Sequence, residues 1–291
     1  MSDQDTFHTE EHDDITGLVL SGGGARAAYQ VGVLHQLAKW FEQENKREFD
    51  FPFKILCGTS AGAINAAALA CAGRNFYQST DRMLKVWENF SSDQVFRSDS
   101  LGIIRTGARW LSALSIGWML RKRPKCLLDN SPLSHLLHQL LHFRRLDEAL
   151  ENGTIHALAV TASSYSSGRS VTFFQTQKVI ESWARTQRVA LPDRITVEHL
   201  LASAAIPFVF PAVKLNIEGQ MEHFGDGSIR QLAPISPAIH LGANRVMVIG
   251  SSQSDKDHTQ RVEIQNAYPS LAQIAGHAMA SIFLDSLSID I

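Results

Sequence analysis

Apolar and amphipathic segments alternate along the first part of the chain. Thr16–Leu20 has the length and apolar character of a short buried strand, and Phe53–Cys57 is a second such run. Between them, apolar residues recur on one face at helical spacing from Tyr29 to Phe41, and an Ala-rich helical run extends from Ala61 to Ala72. This strand–helix–strand–helix order predicts a parallel sheet with helices on both faces.

The later segments continue the α/β pattern. Helical spacing dominates from Phe76 to Leu150. The next predicted elements are two strands, a short helix, a hairpin and a further strand, at Ile155–Ala162, Ser170–Gln175, Val197–Ala204, Val213–Phe224 and Arg245–Ser251. With 291 residues and 44% apolar content, the chain can bury one large core. We therefore predict an α/β fold, a three-layer α/β/α sandwich with a mostly parallel central sheet.

A last amphipathic helix is predicted from Ser270 to Leu287. It reaches the end at Ile291 without a helix-ending glycine or proline, which favours a natural chain that continues past Ile291 over a frayed terminus. The first 14 residues are polar and acidic and lack the apolar core of a signal peptide, so we expect a disordered acidic tail at 1–14 and one domain at 15–291.

Composition narrows the class of protein further. The formal net charge of −2 gives no case for nucleic-acid binding. No apolar run approaches the roughly 18 residues of a membrane-spanning helix. Three cysteines without metal-ligand spacing suit a reducing compartment. We therefore expect a cytoplasmic protein, with peripheral membrane contact at most, that needs no metal or other cofactor.

A Gly-x-Ser-x-Gly motif lies between the second strand and the Ala-rich helix, as Gly58-Thr59-Ser60-Ala61-Gly62. A nucleophilic serine must stand on a sharp turn so that its hydroxyl is exposed to substrate, and flanking glycines permit the strained backbone and close strand–helix packing. The strand before the motif and the helix after it make Ser60 a candidate nucleophile.

Three consecutive glycines, Gly22, Gly23 and Gly24, separate the first strand from its helix. Such a loop exposes backbone N–H groups at a helix N-terminus, which suits a phosphate or a developing oxyanion. A P-loop would need a Lys-Ser/Thr pair, and a dinucleotide site would need Gly at position 27, where the chain has Ala27. We therefore interpret the loop as an oxyanion hole.

The segment Phe224-Gly225-Asp226-Gly227-Ser228 follows the predicted hairpin. An Asp between two glycines is often only a turn residue. A serine hydroxyl, however, is a poor nucleophile until a neighbouring group takes its proton. Asp226 is therefore the candidate base.

Histidines offer the rival mechanism, a Ser–His–Asp triad. An α/β-hydrolase places the serine, the acid and then the histidine in chain order. The histidines near or after the candidate acid are His223, His240, His258 and His277, and none lies in a distinctive loop motif. A His-assisted esterase or thioesterase therefore remains the alternative enzyme.

Together these motifs resemble the patatin-like phospholipases of bacterial type, which are serine acyl hydrolases with a Ser–Asp dyad. The resemblance covers about Thr16 to Ser251 and implies that Ser60 is the nucleophile, that Asp226 is its base and that Arg26 helps to hold an oxyanion-hole loop. The matching stretches, in the family's order and spacing, are Gly22-Gly23-Gly24-Ala25-Arg26, Gly58 to Gly62, Ser203 to Pro211 and Asp226-Gly227.

The chain departs from the family pattern at two positions. Ala27 stands where the family usually has Gly, and Ser228 stands where it usually has Gly or Ala. Neither departure removes a reacting group, so they bear on the geometry of the oxyanion hole rather than on the reaction class.

The stretch Phe96 to Cys126 mixes tryptophans and leucines with many basic residues and a single acid, Asp99. It forms the centre of a predicted helical, cap-like insertion at about residues 90–145. Such a composition suits an anionic lipid surface, and it equally suits a cap that packs on the core with solvated arginines. The two interpretations are compatible.

We therefore expect a lipid acyl hydrolase of the phospholipase A or lysophospholipase type, acting on a phospholipid or lysophospholipid. The non-enzyme alternative is a catalytically silent lipid-binding relative. The presence of both Ser60 and Asp226 argues against that alternative.

Overall fold

The computed structural model describes residues 14–44, 51–97, 126–231 and 233–250. Their strands belong to a single sheet. In chain order the strands are β1 (Thr16–Leu20), β2 (Ile55–Thr59), β3 (Ala157–Ser164), β4 (Ser170–Thr176), β5 (Trp183–Arg185), β6 (Arg188–Pro192), β7 (Val213–Ile217), β8 (Gln220–Asp226) and β9 (Arg245–Ile249).

Helices occupy four of the eight connections between these strands. They are α1 (Ala27–Glu44), α2 (Ala61–Cys71), α3 (Phe76–Glu88), α4 (Ser131–Leu140), α5 (Phe143–Glu151), α6 (Val197–Ser203) and α7 (Ser236–His240). Short 3₁₀ turns occupy Gly24–Arg26, Ser92–Gln94 and Gly227–Arg230. Parallel strands are usually joined by such helical crossovers.

The strand order is β5-β6-β4-β3-β2-β1-β9. The four neighbouring strands β9, β1, β2 and β3 run parallel to one another, from β9 at one edge to the centre of the sheet. Antiparallel pairs lie to one side of this centre, where β4 pairs with β3 and β5 pairs with β6. The sheet is therefore mixed, with a parallel centre, and the predicted α/β fold class is confirmed.

Strands β2 and β8 both pair with β3, and the β8 pairing begins at the residue after the last β2 pair. Thr59, the last residue of β2, pairs with Thr161 of β3, and Asp226, the last residue of β8, pairs antiparallel with the next residue, Ala162. The ends of β2 and β8 consequently meet at one point beside β3. The residue after Thr59 is Ser60, so the register alone brings the two candidate catalytic residues together.

Alternation along the strands divides the core between the two faces of the sheet. Leu18 and Leu20 of β1 pack with α1, α2, α3, α4, α5 and α6 in the larger cluster. Val19, between them, belongs to a smaller cluster on the opposite face with Ala238 of α7. Among the described residues, the helical layers thus cover the two faces very unequally.

Most of the described elements follow the hydrophobic pattern. The hairpin predicted over Val213–Phe224 is β7 and β8, with its turn at Glu218 and Gly219. Strands β5 and β6 were not predicted, because β5 has only three residues and its side chains are mostly exposed. The helix predicted from Ser270 to Leu287, tail residues 1–13 and most of the basic stretch, residues 98–125, lie outside the described residues.

Gly62 provides a test of how tightly α2 packs against β1. A Cβ at this position would lie 2.3 Å from the carbonyl oxygen of Leu20. Because that oxygen belongs to a central strand and cannot move aside, we expect Gly62→Ala to lower the free energy of unfolding by about 1–3 kcal/mol. Urea unfolding measures this difference.

The matched control is Gly32→Ala. Gly32 is an exposed glycine within α1, and a Cβ there would meet nothing within 4 Å. The higher helix propensity of alanine should make this variant about 0.5–1 kcal/mol more stable than the wild type. Equal effects of the two substitutions would contradict the packing described for Gly62.

Candidate active site

Ser60 occupies the turn between β2 and α2. Its backbone has φ 55° and ψ −128°, a left-handed conformation that a residue with a side chain rarely adopts. Ala63 N–H donates to the Ser60 carbonyl oxygen at 3.0 Å, which begins α2. The strained turn directs the Ser60 hydroxyl out of the helix and towards β8.

The two glycines of the motif are required by close contacts. A Cβ at Gly58 would lie 2.5 Å from the Gly62 carbonyl oxygen and from Ala63 Cα. A Cβ at Gly62 would collide with β1, as described above. The Gly-x-Ser-x-Gly pattern around Thr59 and Ala61 thus follows from the space available where β2 turns into α2.

Asp226 lies at the end of β8 and is completely buried. The Ser60 hydroxyl donates to Asp226 Oδ2 at 2.6 Å, and the Ser228 N–H donates to Asp226 Oδ1 at 2.9 Å. Burial raises the pKa of this carboxyl from 3.8 to about 6, against the hydrogen bonds from Ser60 and Ser228, which lower it. A carboxylate with this pKa is a stronger base than an ordinary aspartate and is still ionised at neutral pH.

Gly227 and Ser228 continue the chain directly behind the pair. A Cβ at Gly227 would lie 2.1 Å from the Thr161 carbonyl oxygen, so only glycine lets this turn pass β3. The Ser228 hydroxyl is buried and makes no hydrogen bond with a described residue, although it comes close to the Asp226 carboxylate.

Ser203, at the end of α6, supports the turn at Ser60 from behind. Its hydroxyl accepts the Ser60 N–H at 2.9 Å and donates to the Thr161 carbonyl oxygen at 2.6 Å. Sequence analysis assigned no role to Ser203. Its contacts join residues far apart in the chain, and no local pattern indicates them.

The glycine loop packs against the same pair. A Cβ at Gly22 would lie 3.1 Å from Ser60 Cβ and 2.3 Å from Ser228 Oγ, so the backbone of the loop passes directly beside the serine. Gly24 has φ 54° and starts the 3₁₀ turn, in which Arg26 N–H donates to the Gly23 carbonyl oxygen at 3.1 Å. The Arg26 side chain is exposed.

Gln30 of α1 fixes the start of this loop. Its Nε2 donates to the carbonyl oxygens of Ser21 at 2.8 Å and Ile249 at 3.2 Å. Asn65 of α2 in turn donates to Gln30 Oε1 at 3.0 Å. This buried amide pair, which sequence analysis missed, holds β1, β9, α1 and α2 in one arrangement around the loop.

A largely apolar cavity of about 620 Å³ opens beside Ser60. It follows α2 from Ala61 to Cys71, a distance of about 15 Å at 1.5 Å per residue. Helices α3 and α4 form its other walls. The apolar residues that line it include Ile64, Ala68, Met83, Trp87, Leu136 and Leu140. The cavity can hold an extended hydrocarbon chain whose end reaches Ser60.

No described histidine lines this cavity or forms a hydrogen bond with Ser60 or Asp226. His223 is exposed on β8, and His240 stacks on Trp183 with ring centroids 5.0 Å apart. His258 and His277 lie outside the described residues. Within the described part of the chain, the geometry thus offers Asp226 alone as the group that can take the Ser60 proton.

The described ranges contain no group of three or more His, Cys, Asp or Glu side chains placed to bind a metal ion. They also contain no helix that is long and apolar enough to cross a bilayer.

Comparison with known proteins identifies the family. A family model described as patatin-like phospholipase matches residues 18–239. None of the curated proteins matches the chain by sequence.

Several solved structures are similar at low identity. VipD from Legionella pneumophila is 16% identical with a TM-score of 0.41, over 74% of this chain and 46% of that protein. The type III effector protein ExoU is 15% identical with a TM-score of 0.37, over 95% of this chain and 52% of that protein. The chain therefore spans about half the length of these proteins.

The buried carboxylate should reduce stability above its pKa. Because the pKa of Asp226 is higher in the folded protein, protonation of this group favours folding, and its contribution to stability falls as pH rises from 4 towards 7. Asp226→Asn lacks this loss, since its amide can donate to Ser60 Oγ and still accept from Ser228 N–H. We expect the variant to gain up to about 3 kcal/mol relative to the wild type over this pH range.

Urea unfolding at pH 4, 5.5 and 7 measures this gain. The control is Asp81→Asn, which removes an exposed carboxylate whose pKa is lowered by its hydrogen bond to Lys85. That variant should show no such gain. A pH-independent difference between Asp226→Asn and the wild type would contradict the raised pKa.

Proposed function

Because the chain belongs to the patatin-like phospholipase family, a family of lipid acyl hydrolases, we propose that it hydrolyses fatty-acyl esters of phospholipids or lysophospholipids with Ser60 and Asp226 as its dyad. One observation carries this proposal. The Ser60 hydroxyl donates to the buried Asp226 carboxylate at 2.6 Å, at the mouth of an apolar cavity. A nucleophile, its base and a place for the acyl chain thus lie together.

In the first step Asp226 takes the proton of Ser60 as the serine oxygen attacks the ester carbonyl carbon. The carbonyl oxygen becomes an oxyanion next to the glycine loop. Backbone N–H groups of Gly22, Gly23 and Gly24 are the donors that we propose for it, since preorganised amides in a site of low dielectric constant stabilise such charge strongly. Gly22 packs directly beside Ser60, so the loop is near enough to serve.

In the second half of the first step the oxyanion collapses and the alcohol leaves with the proton held by Asp226. The acyl group is then esterified to Ser60. Asp226 next takes a proton from a water molecule, whose oxygen attacks the acyl carbonyl. The same carboxyl returns its proton to Ser60 as the fatty acid departs, so each step needs only one base.

The cavity along α2 is the proposed site of the acyl chain. Each methylene that enters it contributes about 0.8 kcal/mol of favourable transfer from water. Its volume of about 620 Å³ lies within the roughly 300–1,000 Å³ of small-ligand sites. Long acyl esters should therefore bind better than short ones, with the head group outside the cavity beside the glycine loop and Arg26.

Two alternatives make different predictions. A His-assisted esterase would need a histidine within hydrogen-bond reach of Ser60, and no described histidine has that position. A silent lipid-binding relative would bind lipid but turn over no ester. Peripheral contact of the basic stretch Phe96 to Cys126 with anionic lipid remains a prediction of the sequence alone.

Removal of either member of the dyad should abolish turnover. Ser60→Ala deletes only a hydroxyl on a turn, and Asp226→Asn keeps the side-chain shape but removes the proton acceptor. We expect each to lower kcat/KM for a chromogenic fatty-acyl ester by at least about 100-fold. A fluorophosphonate probe should label the wild type and leave Ser60→Ala unlabelled.

His223→Ala and His240→Ala are the controls, and both should retain most of the activity. The pH profile supplies a second measurement. Since the base must be ionised and its pKa is raised to about 6, kcat/KM should fall as pH drops through about 6. Loss of activity in a histidine variant, or probe labelling at another serine, would rule out the dyad.

Chain-length preference tests the cavity. Ala68 is a small, partly buried residue of α2 that lines the cavity beyond Ser60. We expect Ala68→Phe to raise KM for long-chain esters by about tenfold or more, because the ring occupies the space of several methylenes. Hydrolysis of an acetyl ester should be nearly unchanged and serves as the internal control. An equal loss for both esters would place the acyl chain elsewhere.

A further inference from the structure

Polar residues form a row on the face of the sheet opposite the acyl cavity. The sheet register aligns one residue from each of four strands, since β3 pairs with β4, β4 with β6, and β6 with β5. Two rows result, Ser163–Ser170–Arg188–Arg185 and Thr161–Thr172–Ala190–Trp183. Residues two apart on a strand share a face, and Ala190 belongs to the smaller core cluster, so both rows lie on the side away from α2.

A small pocket of about 30 Å³ lies over these rows. It shares no lining residue with the acyl cavity. Its polar lining residues include Ser170, Thr172, Arg185, Arg188, Gln231 and Ser236. Trp183 and Pro237 provide apolar walls. The volume exceeds the roughly 10–15 Å³ that one water molecule needs, so a small ion fits.

Arg188 gives this pocket its chemistry. Its Nη1 is buried and has no hydrogen-bond partner among the described residues. Among the described residues, the lining holds a second arginine, Arg185, and no carboxylate. The Arg188 side chain as a whole is partly exposed, but its buried N–H is unfavourable without an acceptor, because that group has lost its hydrogen bonds to water and gained none from the protein. A water molecule would satisfy the N–H but not the charge, whereas an anion satisfies both.

We propose that this pocket binds a tetrahedral oxyanion of the phosphate type, with Arg188 as its principal ligand. Ser170 and Ser236 offer hydroxyl donors beside it, and Arg185, which is exposed, stands at the outer side of the row. Guanidinium groups pair with phosphate oxygens through charge-assisted, often bidentate hydrogen bonds. The oxyanion can be free phosphate or the phosphate of a lipid head group.

The pocket is connected to the candidate active site through its inner wall. Gln231 Nε2 donates to Thr59 Oγ1 at 2.6 Å, and Thr59 directly precedes Ser60. Thr161 also lines the pocket, and its carbonyl oxygen accepts a hydrogen bond from the Ser203 hydroxyl. That hydroxyl in turn accepts the hydrogen bond of the Ser60 N–H. An anion in the pocket therefore stabilises the residues on which the turn at Ser60 rests.

Thermal unfolding tests the site without reference to catalysis, so its failure is separate from a failure of the proposed hydrolase activity. Sodium phosphate is titrated at constant ionic strength, with sodium chloride as the balancing salt. We expect phosphate to raise the Tm of the wild type by about 2–4 °C near saturation. Arg188→Gln should lose this rise, and without phosphate its Tm should equal or exceed that of the wild type, because the unpaired charge is gone.

Arg194→Gln is the matched control, since Arg194 is an exposed arginine that pairs with Asp147 at 2.7 Å. It should retain the full phosphate response. Arg185→Gln, at an exposed position, provides a second variant and should weaken the response several-fold. An absent rise in the wild type, an equal rise with chloride, or an unchanged rise in Arg188→Gln would overturn the proposal.

Vesicles distinguish the two sources of the oxyanion. Co-sedimentation with phosphatidylcholine vesicles is compared with vesicles that contain a phosphorylated inositol lipid. If the site takes a head group, binding to the second kind should fall several-fold with Arg188→Gln and with added inorganic phosphate. If the site takes free phosphate, the wild type and Arg188→Gln should bind the vesicles with the phosphorylated inositol lipid equally. The phosphate-induced rise in Tm should still be present in the wild type and absent in Arg188→Gln.

Discussion

The hydrogen bond between Ser60 and Asp226 depends on a single feature of the sheet, the point where β2 and β8 end against β3. Thr59 and Asp226 pair with the successive residues Thr161 and Ala162. A shift of either strand by one residue would turn its side chains to the other face and separate the hydroxyl from the carboxylate. The register of the sheet therefore determines whether Ser60 and Asp226 can form this hydrogen bond.

Both residues of the candidate dyad, Ser60 and Asp226, make the folded state less stable. Ser60 has a positive φ, and Asp226 is a carboxylate with no exposed surface. The surrounding core offsets these costs because it fills both faces of the strands that carry them. Burial that is unfavourable for the charge also raises the pKa of Asp226 to about 6, which makes the carboxylate a better base. The unfavourable burial and the proposed reactivity thus have one physical cause.

The sequence predicted those parts of the candidate site that depend on local backbone geometry. The turn at Ser60, the glycine loop and the turn at Asp226 each need glycines at fixed positions, and glycines are visible in a sequence. Ser203, Gln30 and Gln231 were not predicted. Each acts through a partner far away in the chain, such as Ser203 with Ser60, and its residue type is common on any surface. Strands β5 and β6 were not predicted for a related reason, since β5 is an edge strand without a buried residue and β6, which lies next to it, buries only Ala190.

The two faces of the sheet place two kinds of binding space around one turn. On one face, α2 carries Ser60 and lines an apolar cavity suited to hydrocarbon. On the other face, Thr59 and Thr161 belong to the layer of polar residues beneath Arg188. Consecutive residues of a strand point to opposite faces of the sheet. The acyl cavity and the polar pocket therefore lie on opposite sides of the same strands. Gln231, which lines the polar pocket, donates to Thr59, and Thr59 directly precedes Ser60, so the pocket and the candidate nucleophile rest on adjoining backbone.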